Sequence, residues 1–273
     1  MTTMITTPAA TPALAWDHSG NLGLGQRLDG AGPAWFDLAD DVNVSSGVIS
    51  GPKGSGKSTT VRALVAAARA SLAVPVTTLY TAPGPFGGMA NQLLNQIASV
   101  KVLDAAPDTA IGLLHDAAKT RTEILRERGL ATLAGTELPI LLAVVEDAAQ
   151  VVGDRAHRWA RLARHAKKLN IAVLATLERD DDPNLPAGQR ALWRQLAEAN
   201  RIRMRGHGIE AGTARIRDAA GHEYDTRVPN LTDGDPWLDT EIAPDDPLDG
   251  DTAAVFGDHY TAPASPRATG IWA

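Results

Sequence analysis

The chain has 273 residues, of which 44% are hydrophobic and 21% are charged. These fractions are ordinary for a globular protein and exclude a wholly disordered chain. Cysteine is absent, which excludes disulfide bridges, cysteine-ligated zinc, iron–sulfur clusters and thiol catalysis. The longest apolar run, Leu138–Val145, has eight residues and is too short to cross a bilayer. Because residues 1–26 also lack Lys and Arg, we expect a cytoplasmic protein without a secretory signal or direct membrane insertion.

The formal net charge of −6 is distributed unevenly along the chain. Residues 225–273 contain ten acidic and two basic side chains, a net charge of −8, so residues 1–224 carry +2. A near-neutral body with an acidic tail does not by itself predict nucleic-acid binding, because such binding depends on how the positive charge is clustered.

Composition divides the chain into three parts. Residues 1–16 are rich in Thr, Pro and Ala without a hydrophobic period, which predicts a flexible leader. Residues 233–273 are rich in Pro, Asp and Gly, and we expect an acidic tail that is largely disordered because it has little to bury. Residues 17–232 are the predicted folded domain.

Within that domain, short β-rich runs alternate with longer helical stretches. Such alternation predicts an α/β fold with a mainly parallel sheet and helices on both faces, closed by a small C-terminal hairpin. In chain order we predict a strand over 44–50, a helix over 57–70, a strand over 74–80, a short helix over 90–97, a strand over 100–103, a helix over 108–128, a strand over 140–145, a helix over 155–169, a strand over 171–176, a helix over 189–199, a strand over 201–205, and a hairpin of 213–217 with 223–228.

The strongest motif is Gly-Pro-Lys-Gly-Ser-Gly-Lys-Ser at 51–58, a complete G-x-x-x-x-G-K-[ST] phosphate loop between a predicted strand and a helix. Its glycines let successive backbone N–H groups turn towards an anion at the positive end of the following helix. Lys57 is predicted to bind the β- and γ-phosphates of ATP, and Ser58 to offer its hydroxyl to Mg²⁺. The predicted ATP-binding residues are Gly51, Pro52, Lys53, Gly54, Ser55, Gly56, Lys57, Ser58 and Thr59.

Lys53 raises one alternative, because the loop of partition ATPases carries a second signature lysine. That loop places it five residues before the main lysine, whereas Lys53 lies four residues before Lys57. The spacing favours a solvated loop residue.

Glu146 and Asp147 follow the apolar run 140–145. A P-loop ATPase uses one such carboxylate to hold Mg²⁺ and commonly a second to polarise the attacking water. We assign Glu146 to the metal and Asp147 to the water, and we expect slow hydrolysis because Asp is one methylene shorter than Glu. The alternative is that the two acids only mark the exit of a strand into solvent. Thr176, at the next strand end, is either a sensor of the γ-phosphate or a strand-capping residue.

Several segments resemble the FtsK/SpoIIIE family of DNA-translocating ATPases. Each resembles a family motif in residue type and in order along the chain. They are the phosphate loop with its preceding strand at 48–58, the helix end at 119–129, the apolar strand and acidic pair at 140–152, the helix and strand at 162–176, and a weaker similarity at 200–205.

The chain departs from this family at defined positions. Leu177 and Glu178 stand where the family carries glutamine and arginine, the acidic pair is Glu-Asp instead of Asp-Glu, and the family's "DPKG" segment is absent. The resemblance implies a RecA-like P-loop ATPase that works as a homo-oligomer, with a hexamer as one form. It further implies Mg-ATP hydrolysis to move double-stranded DNA, together with a membrane-anchored or DNA-reading partner protein.

Two alternatives to DNA translocation remain. Type VII secretion ATPases share the same motor, so the substrate of this chain can be protein. The inverted acids and the lost glutamine favour a nucleotide-binding assembly or regulatory subunit with little turnover.

Two sets of arginines are candidates for contacts beyond the nucleotide. One set recurs every three residues in a basic segment without acids and can follow a phosphate backbone, or form a solvated helix face or a subunit contact. The other includes candidates for an arginine that acts on the γ-phosphate of a neighbouring subunit, and the sequence does not choose among them. The DNA-contact candidates are Arg155, Arg158, Arg161 and Arg164, and the trans-acting candidates are Arg179, Arg201, Arg203 and Arg205.

Overall fold

The computed structural model describes residues 21–40, 42–70, 75–83, 98–102, 107–206, 211–228 and 246–263. The strands are β1 (Asn21–Arg27), β2 (Pro33–Asp37), β3 (Gly47–Ser50), β4 (Val76–Thr81), β5 (Val100–Val102), β6 (Ile140–Val145), β7 (Ile171–Leu177), β8 (Asn200–Met204), β9 (Thr213–Arg217) and β10 (Glu223–Arg227). The helices are α1 (Lys57–Ala70), α2 (Pro107–Glu127), α3 (Ala148–Val152), α4 (Ala156–Ala166), α5 (Ala187–Ala197) and α6 (Gly250–Phe256), with 3₁₀ turns at Gly153–Arg155 and Gly257–His259.

The strands form one mixed sheet in the spatial order β2-β1-β10-β9-β8-β3-β7-β6-β4-β5. From β8 to β5 all neighbours are parallel, and we call these six strands the parallel half. Strands β9, β10, β1 and β2 continue the sheet beyond β8 with antiparallel pairings, and we call them the antiparallel half. The predicted α/β sheet with a C-terminal hairpin is confirmed, and the hairpin belongs to the main sheet.

Helices cover both faces of the parallel half, which explains why its central strands are apolar throughout. Every residue of β4, β6 and β7 is buried. In β6, Leu142 and Val144 enter a first core that the sheet shares with α1. Leu141 and Ala143 enter a second core that the sheet shares with α2 to α6. This alternation is the ordinary geometry of a strand that is covered on both sides.

A fully buried arginine fixes α2 against the sheet. The Nη1 atom of Arg121 donates to the carbonyls of Leu169 (3.1 Å) and Asn170 (2.7 Å), and Nη2 donates to the carbonyl of Pro139 (2.9 Å). Burial lowers the pKa of Arg121 to about 10. The three carbonyls precede β6 and β7, so Arg121 ties α2 to the amino ends of two central strands.

Residues 246–263 differ from the disorder that composition predicts for the acidic tail. The backbone N–H of Asp246 donates to the carbonyl of Val76 (2.9 Å), and the Oδ2 atom of Asp246 accepts from the N–H of Val76 (2.8 Å). Leu248 and Phe256 are buried in the second core. Two widely spaced apolar anchors among many acids leave little trace in composition, so this segment was wrongly included in the disordered tail.

Two further differences concern the placement of elements. The predicted helix over 155–169 corresponds to α4, which begins at Ala156 and ends at Ala166, and α3 and the 3₁₀ turn that precede it were not predicted. Strands β1 and β2 have no counterpart in the sequence-based assignment, and the register of β1 shifts between Gly23 and Gln26. The predicted helix over 90–97 and the leader 1–16 lie outside the described residues. Within the described ranges no helix is both long enough and apolar enough to cross a membrane.

Candidate nucleotide site

The loop between β3 and α1 depends on glycine at three positions. Gly54 and Gly56 have φ angles of 78° and 102°, a region that residues with side chains rarely adopt. At Gly51 an added Cβ atom would lie 2.6 Å from the Cβ atom of Met204 and 2.8 Å from the Oγ atom of Ser55. Strand β8 therefore packs too closely on the start of the loop for any side chain at position 51.

Lys57 opens α1 and reaches back over the loop. Its Nζ atom donates to the carbonyls of Gly51 (2.7 Å) and Pro52 (3.1 Å). The neighbouring loop residue Lys53 is exposed, in agreement with a solvated residue. The ammonium group thus lies at the mouth of the phosphate loop, where the motif predicts contact with phosphates.

Three carboxylates act on this ammonium group. Burial lowers the pKa of Lys57, and the charges of Glu178, Asp147 and Glu146, in decreasing order of effect, raise it. Glu146 and Asp147 follow β6, and Glu178 follows β7. Because the carboxyl ends of parallel strands share one edge of the sheet, two strands deliver acids to one lysine.

Glu146 is a buried carboxylate with one free oxygen. Its side chain is buried, with the residue only 2% exposed. The Oε2 atom accepts from the hydroxyl of Tyr80 (3.1 Å), and the Oε1 atom has no hydrogen-bond partner among the described residues. Burial raises the pKa of Glu146, and the hydroxyls of Ser58 and Tyr80 oppose that shift. A buried, unpartnered carboxylate oxygen near a serine hydroxyl suits a hydrated Mg²⁺ ion, so Glu146 and Ser58 fit the predicted metal role.

Asp147 leaves the strand conformation immediately after Glu146. Its backbone is left-handed, with φ 45° and ψ 48°, and its side chain is exposed. The N–H of Asp147 donates to the Oγ1 atom of Thr176 (3.0 Å), which is buried on the neighbouring strand β7. The predicted sensor threonine therefore contacts the backbone of the predicted acidic pair.

The remaining hydroxyl residues of the loop and of the start of α1 differ in how deeply they are buried. Ser55 is buried, and its Oγ atom has no hydrogen-bond partner among the described residues. Thr60 donates to the carbonyl of Gly56 (2.9 Å) and fixes the first turn of α1. Ser58 and Thr59 are half-buried, as is Lys57. The loop therefore offers partly accessible hydroxyls beside its lysine.

The four arginines of the basic segment fall into two pairs. Three residues turn a helix by about 300°, so a three-residue repeat drifts around the helix instead of following one face. Arg155 and Arg158 lie beside Asp108 of α2, at 2.8 Å and 3.1 Å. Arg161 and Arg164 are exposed and form no ion pair within the described part of the chain. Only the second pair is free for an external contact.

All four candidates for a trans-acting arginine have acidic neighbours in their own chain. The pairs are Arg179–Asp181 at 3.7 Å, Arg201–Asp180 at 2.5 Å, Arg203–Asp181 at 3.0 Å and Arg205–Asp225 at 2.6 Å. Any of these arginines would have to exchange its acidic partner to act on another subunit.

Glu178 is the site residue that sequence reasoning missed. It entered the sequence analysis only as a departure from the family pattern. Its position directly after the strand that carries Thr176 was the available signal, because residues after parallel strands gather at one edge.

Comparison with known proteins identifies the fold. No protein-family model and no curated protein sequence matches the chain. Among solved structures, EssC (ATPases 2 and 3) from Geobacillus thermodenitrificans is similar with a TM-score of 0.61 at 16% identity, covering 85% of this chain and 49% of EssC. EccC (ATPases 2 and 3) from Thermomonospora curvata, solved with a signal sequence peptide, gives 0.60 at 17% identity, covering 95% of this chain and 52% of EccC.

A third similar structure is the pCW3 conjugation coupling protein TcpA, solved as a monomer form with ATPgS. Its TM-score is 0.59 at 19% identity, with 81% of this chain and 70% of TcpA covered. The chain spans about half the length of the EssC and EccC chains. At these identities the likeness concerns the fold, and the chain has the fold of RecA-like P-loop ATPase domains.

Proposed function

We propose that this chain binds and hydrolyses Mg-ATP at the β3–α1 loop and works as a homo-oligomeric motor on double-stranded DNA. The observation that carries the nucleotide part is the buried Glu146, whose free oxygen lies in the same site as Ser58 and Lys57. A buried carboxylate oxygen without a hydrogen-bond donor is costly unless a cation joins it. A structural role for Glu146 would not require that arrangement beside a phosphate loop.

The residues then have distinct roles. Lys57 and the loop amides bind the phosphates, and Ser58 and Glu146 hold Mg²⁺, which neutralises phosphate charge when bound. Asp147 is the acid that the sequence assigns to the attacking water. Thr176 links the acidic pair to β7 and thereby couples phosphate occupancy to the sheet.

The DNA part rests on one exposed basic face of α4. Three basic residues of α4 follow the spacing i, i+4 and i+7, which keeps them on one side of the helix. At a rise of about 1.5 Å per residue this face is about 10 Å long, and a fourth basic residue lies in the turn that follows the helix. All four are exposed, and the described residues provide no acidic partner for them. They are His157, Arg161, Arg164 and, after the helix, Lys168.

The first experiment measures steady-state ATP hydrolysis with and without duplex DNA at low salt. We expect Mg²⁺-dependent hydrolysis that duplex DNA stimulates. Lys57→Ala should abolish ATP binding and serves as the control for the site. Hydrolysis without any response to DNA would contradict the motor.

The same assay addresses the two other candidate functions. EccC was solved with a signal sequence peptide, so stimulation by a peptide instead of DNA would favour a protein-secretion ATPase. Tight ATP binding with negligible hydrolysis would favour an assembly or regulatory subunit. The short side chain of Asp147 is the observation that favours an assembly or regulatory subunit.

The basic face has a matched control on the same segment. The double variant Arg161→Gln, Arg164→Gln should weaken DNA binding and reduce the slope of log affinity against log salt by about 1.8, about 0.9 for each lost phosphate contact. The double variant Arg155→Gln, Arg158→Gln removes the same charge but breaks contacts to Asp108 and Asp154 within the chain. Equal losses of DNA affinity in both variants would contradict a specific role for the exposed pair.

A further inference from the structure

Glu178 adjoins the start of the phosphate loop. In β7, Ala175 and Leu177 enter the second core, so the intervening positions face α1. Glu178 follows directly after β7, in a bend, and its charge is the largest of the three that raise the pKa of Lys57. The N–H of Gly51 donates to the carbonyl of Leu177 (3.1 Å), which fixes the strand end against the loop. Glu178 therefore lies beside the phosphate loop, where Lys57 begins α1.

An ion cluster around a buried carboxylate holds the chain immediately after Glu178. The side chain of Asp180 is 5% exposed, and its carboxylate lies 2.5 Å from the Nε atom of Arg201 and 3.6 Å from the Nη2 atom of Arg203. Burial raises the pKa of Asp180, and the charge of Arg203 is the largest effect that lowers it. Both arginines belong to β8, the other neighbour of β3. The segment that carries Glu178 is thus anchored on both sides of the phosphate-loop strand.

Asp147 is less favourably placed than Glu178 to reach a water beside the γ-phosphate. Its side chain is a methylene shorter, and its backbone has turned into the left-handed region. Its charge also acts on Lys57 less strongly than the charge of Glu178 does. A carboxylate that must reach a water beside the γ-phosphate needs both length and a fixed support.

We propose that Glu178 is the catalytic carboxylate that orients and deprotonates the water attacking the γ-phosphate. This inference rests on the proposed ATP hydrolysis. The water oxygen forms a bond to the γ-phosphorus, and the bond between that phosphorus and the bridging oxygen of ADP breaks, with the electron pair leaving on ADP. Glu178 accepts the water proton and returns it to solvent. One ATP and one water give ADP, phosphate and a proton.

The experiment compares Glu178→Gln, Glu178→Asp and Asp147→Asn in the full chain. Mg-ATP affinity is measured by calorimetry, and hydrolysis is measured in a single turnover. Glu178→Gln should keep ATP affinity or strengthen it, because a negative charge near the phosphates is removed. Its hydrolysis should fall about 100-fold or more, as loss of a general base does. The hydrolysis rate of Glu178→Asp should lie between those of Glu178→Gln and the unmodified chain. Asp147→Asn should lose less hydrolysis than Glu178→Gln.

Glu123→Gln is the matched control, since Glu123 is exposed on α2, two residues from Arg121, which contacts the amino ends of β6 and β7. It should match the unmodified chain. Hydrolysis by Glu178→Gln at an unchanged or increased rate would overturn the inference, and an increase would show that Glu178 only repels phosphate. A parallel loss of ATP affinity would also overturn it in favour of a structural role. An unmodified chain that binds no Mg-ATP would instead refute the proposed function itself.

Discussion

The parallel and antiparallel halves of the sheet meet at β8 and differ in how many of their faces are buried. The parallel half buries both faces, and its strand ends carry Lys57, Glu146 and Glu178 to one edge. The antiparallel half buries only one face, where Leu22 and Ile216 pack in the first core with α1. Its outer face is charged.

That outer face is held by ion pairs more than by packing. In the register of β8 and β9, Arg201 lies directly opposite Arg217, and Arg203 lies directly opposite Arg215. Like charges directly opposite each other destabilise a sheet, and nearby acids offset this. Asp225, for example, accepts from Arg215 at 3.0 Å. The comparison shows that the candidate site lies in the half whose central strands are buried throughout, whereas the outer face of the antiparallel half carries exposed, salt-sensitive ion pairs.

The largest effect should come from the anchor of the parallel half. Arg121→Leu removes a donor from three buried carbonyls, of which that of Asn170 keeps the N–H of Leu141 (2.8 Å), at a cost of about 3 kcal/mol or more in the free energy of unfolding. Urea unfolding at fixed salt measures this cost. Arg126→Leu changes an exposed arginine on the same helix and should stay within about 0.5 kcal/mol of the original chain.

If Arg121→Leu costs less than about 1 kcal/mol, the parallel half does not determine global stability. The contrast between the two halves would then have to be revised. A cooperative loss of the whole chain would confirm that the antiparallel half depends on its neighbour for its fold.

A smaller effect is expected at the joint between the halves. Asn200 is fully buried on β8, and its Nδ2 atom donates to the carbonyls of Asp37 (2.7 Å) and Ser46 (3.1 Å). Its Oδ1 atom accepts from the N–H of Asp37 (3.1 Å), which ends β2. Asn200→Ala should cost about 2 kcal/mol, because these groups lose their partners.

Hydrogen exchange locates that cost. Amides of β1 and β2 should exchange faster in Asn200→Ala, whereas those of β6 and β7 should keep their protection until global unfolding. Asn184→Ala, at an exposed asparagine, is the control. Uniformly faster exchange over both halves would show that Asn200 does not act as a joint.

The sequence predicted the parts of the fold that local pattern determines. The strand over 140–145 coincides with β6, because continuous apolar residues can only lie between two covering layers. The predicted hairpin strand over 213–217 coincides with β9, whose alternating burial suits a half-buried strand. Strand β1 was missed because glycines interrupt its pattern and Gly25 has a φ angle of 99°.

The candidate site divides in the same manner. The phosphate loop and Glu146 are readable because residue type and spacing carry the chemistry. Glu178 is marked in the sequence only by its position after a predicted strand, and its place beside the loop depends on the pairing of β7 with β3. Similarly, the three-residue repeat of arginines suggested one stripe, and only the packing of α4 shows that Arg155 and Arg158 serve Asp108.

The smallest effect concerns pH and tests whether burial of Glu146 in the parallel half destabilises the folded chain when the carboxylate is ionised. Burial raises the pKa of Glu146, so the folded chain favours the protonated carboxyl. Without nucleotide, stability is therefore highest at low pH for this group and falls as pH rises from the unfolded pKa through the raised folded pKa. Each unit of that shift corresponds to about 1.4 kcal/mol. Mg²⁺ needs the ionised form, so Mg-ATP affinity should follow the opposite direction and weaken as pH falls through the same pKa.

Glu146→Gln removes the titrating group while preserving size and the acceptor for Tyr80. The free energy of unfolding of Glu146→Gln minus that of the original chain, measured without nucleotide at several pH values, should increase as pH rises. The dependence of ATP affinity on Mg²⁺ should be lost in the variant at every pH. A stability difference that does not change with pH would mean that Glu146 ionises in the fold as an exposed glutamate does. The parallel half would then bury Glu146, the proposed metal-binding acid, without an electrostatic cost. Its contrast with the ion-paired antiparallel half would rest on packing alone.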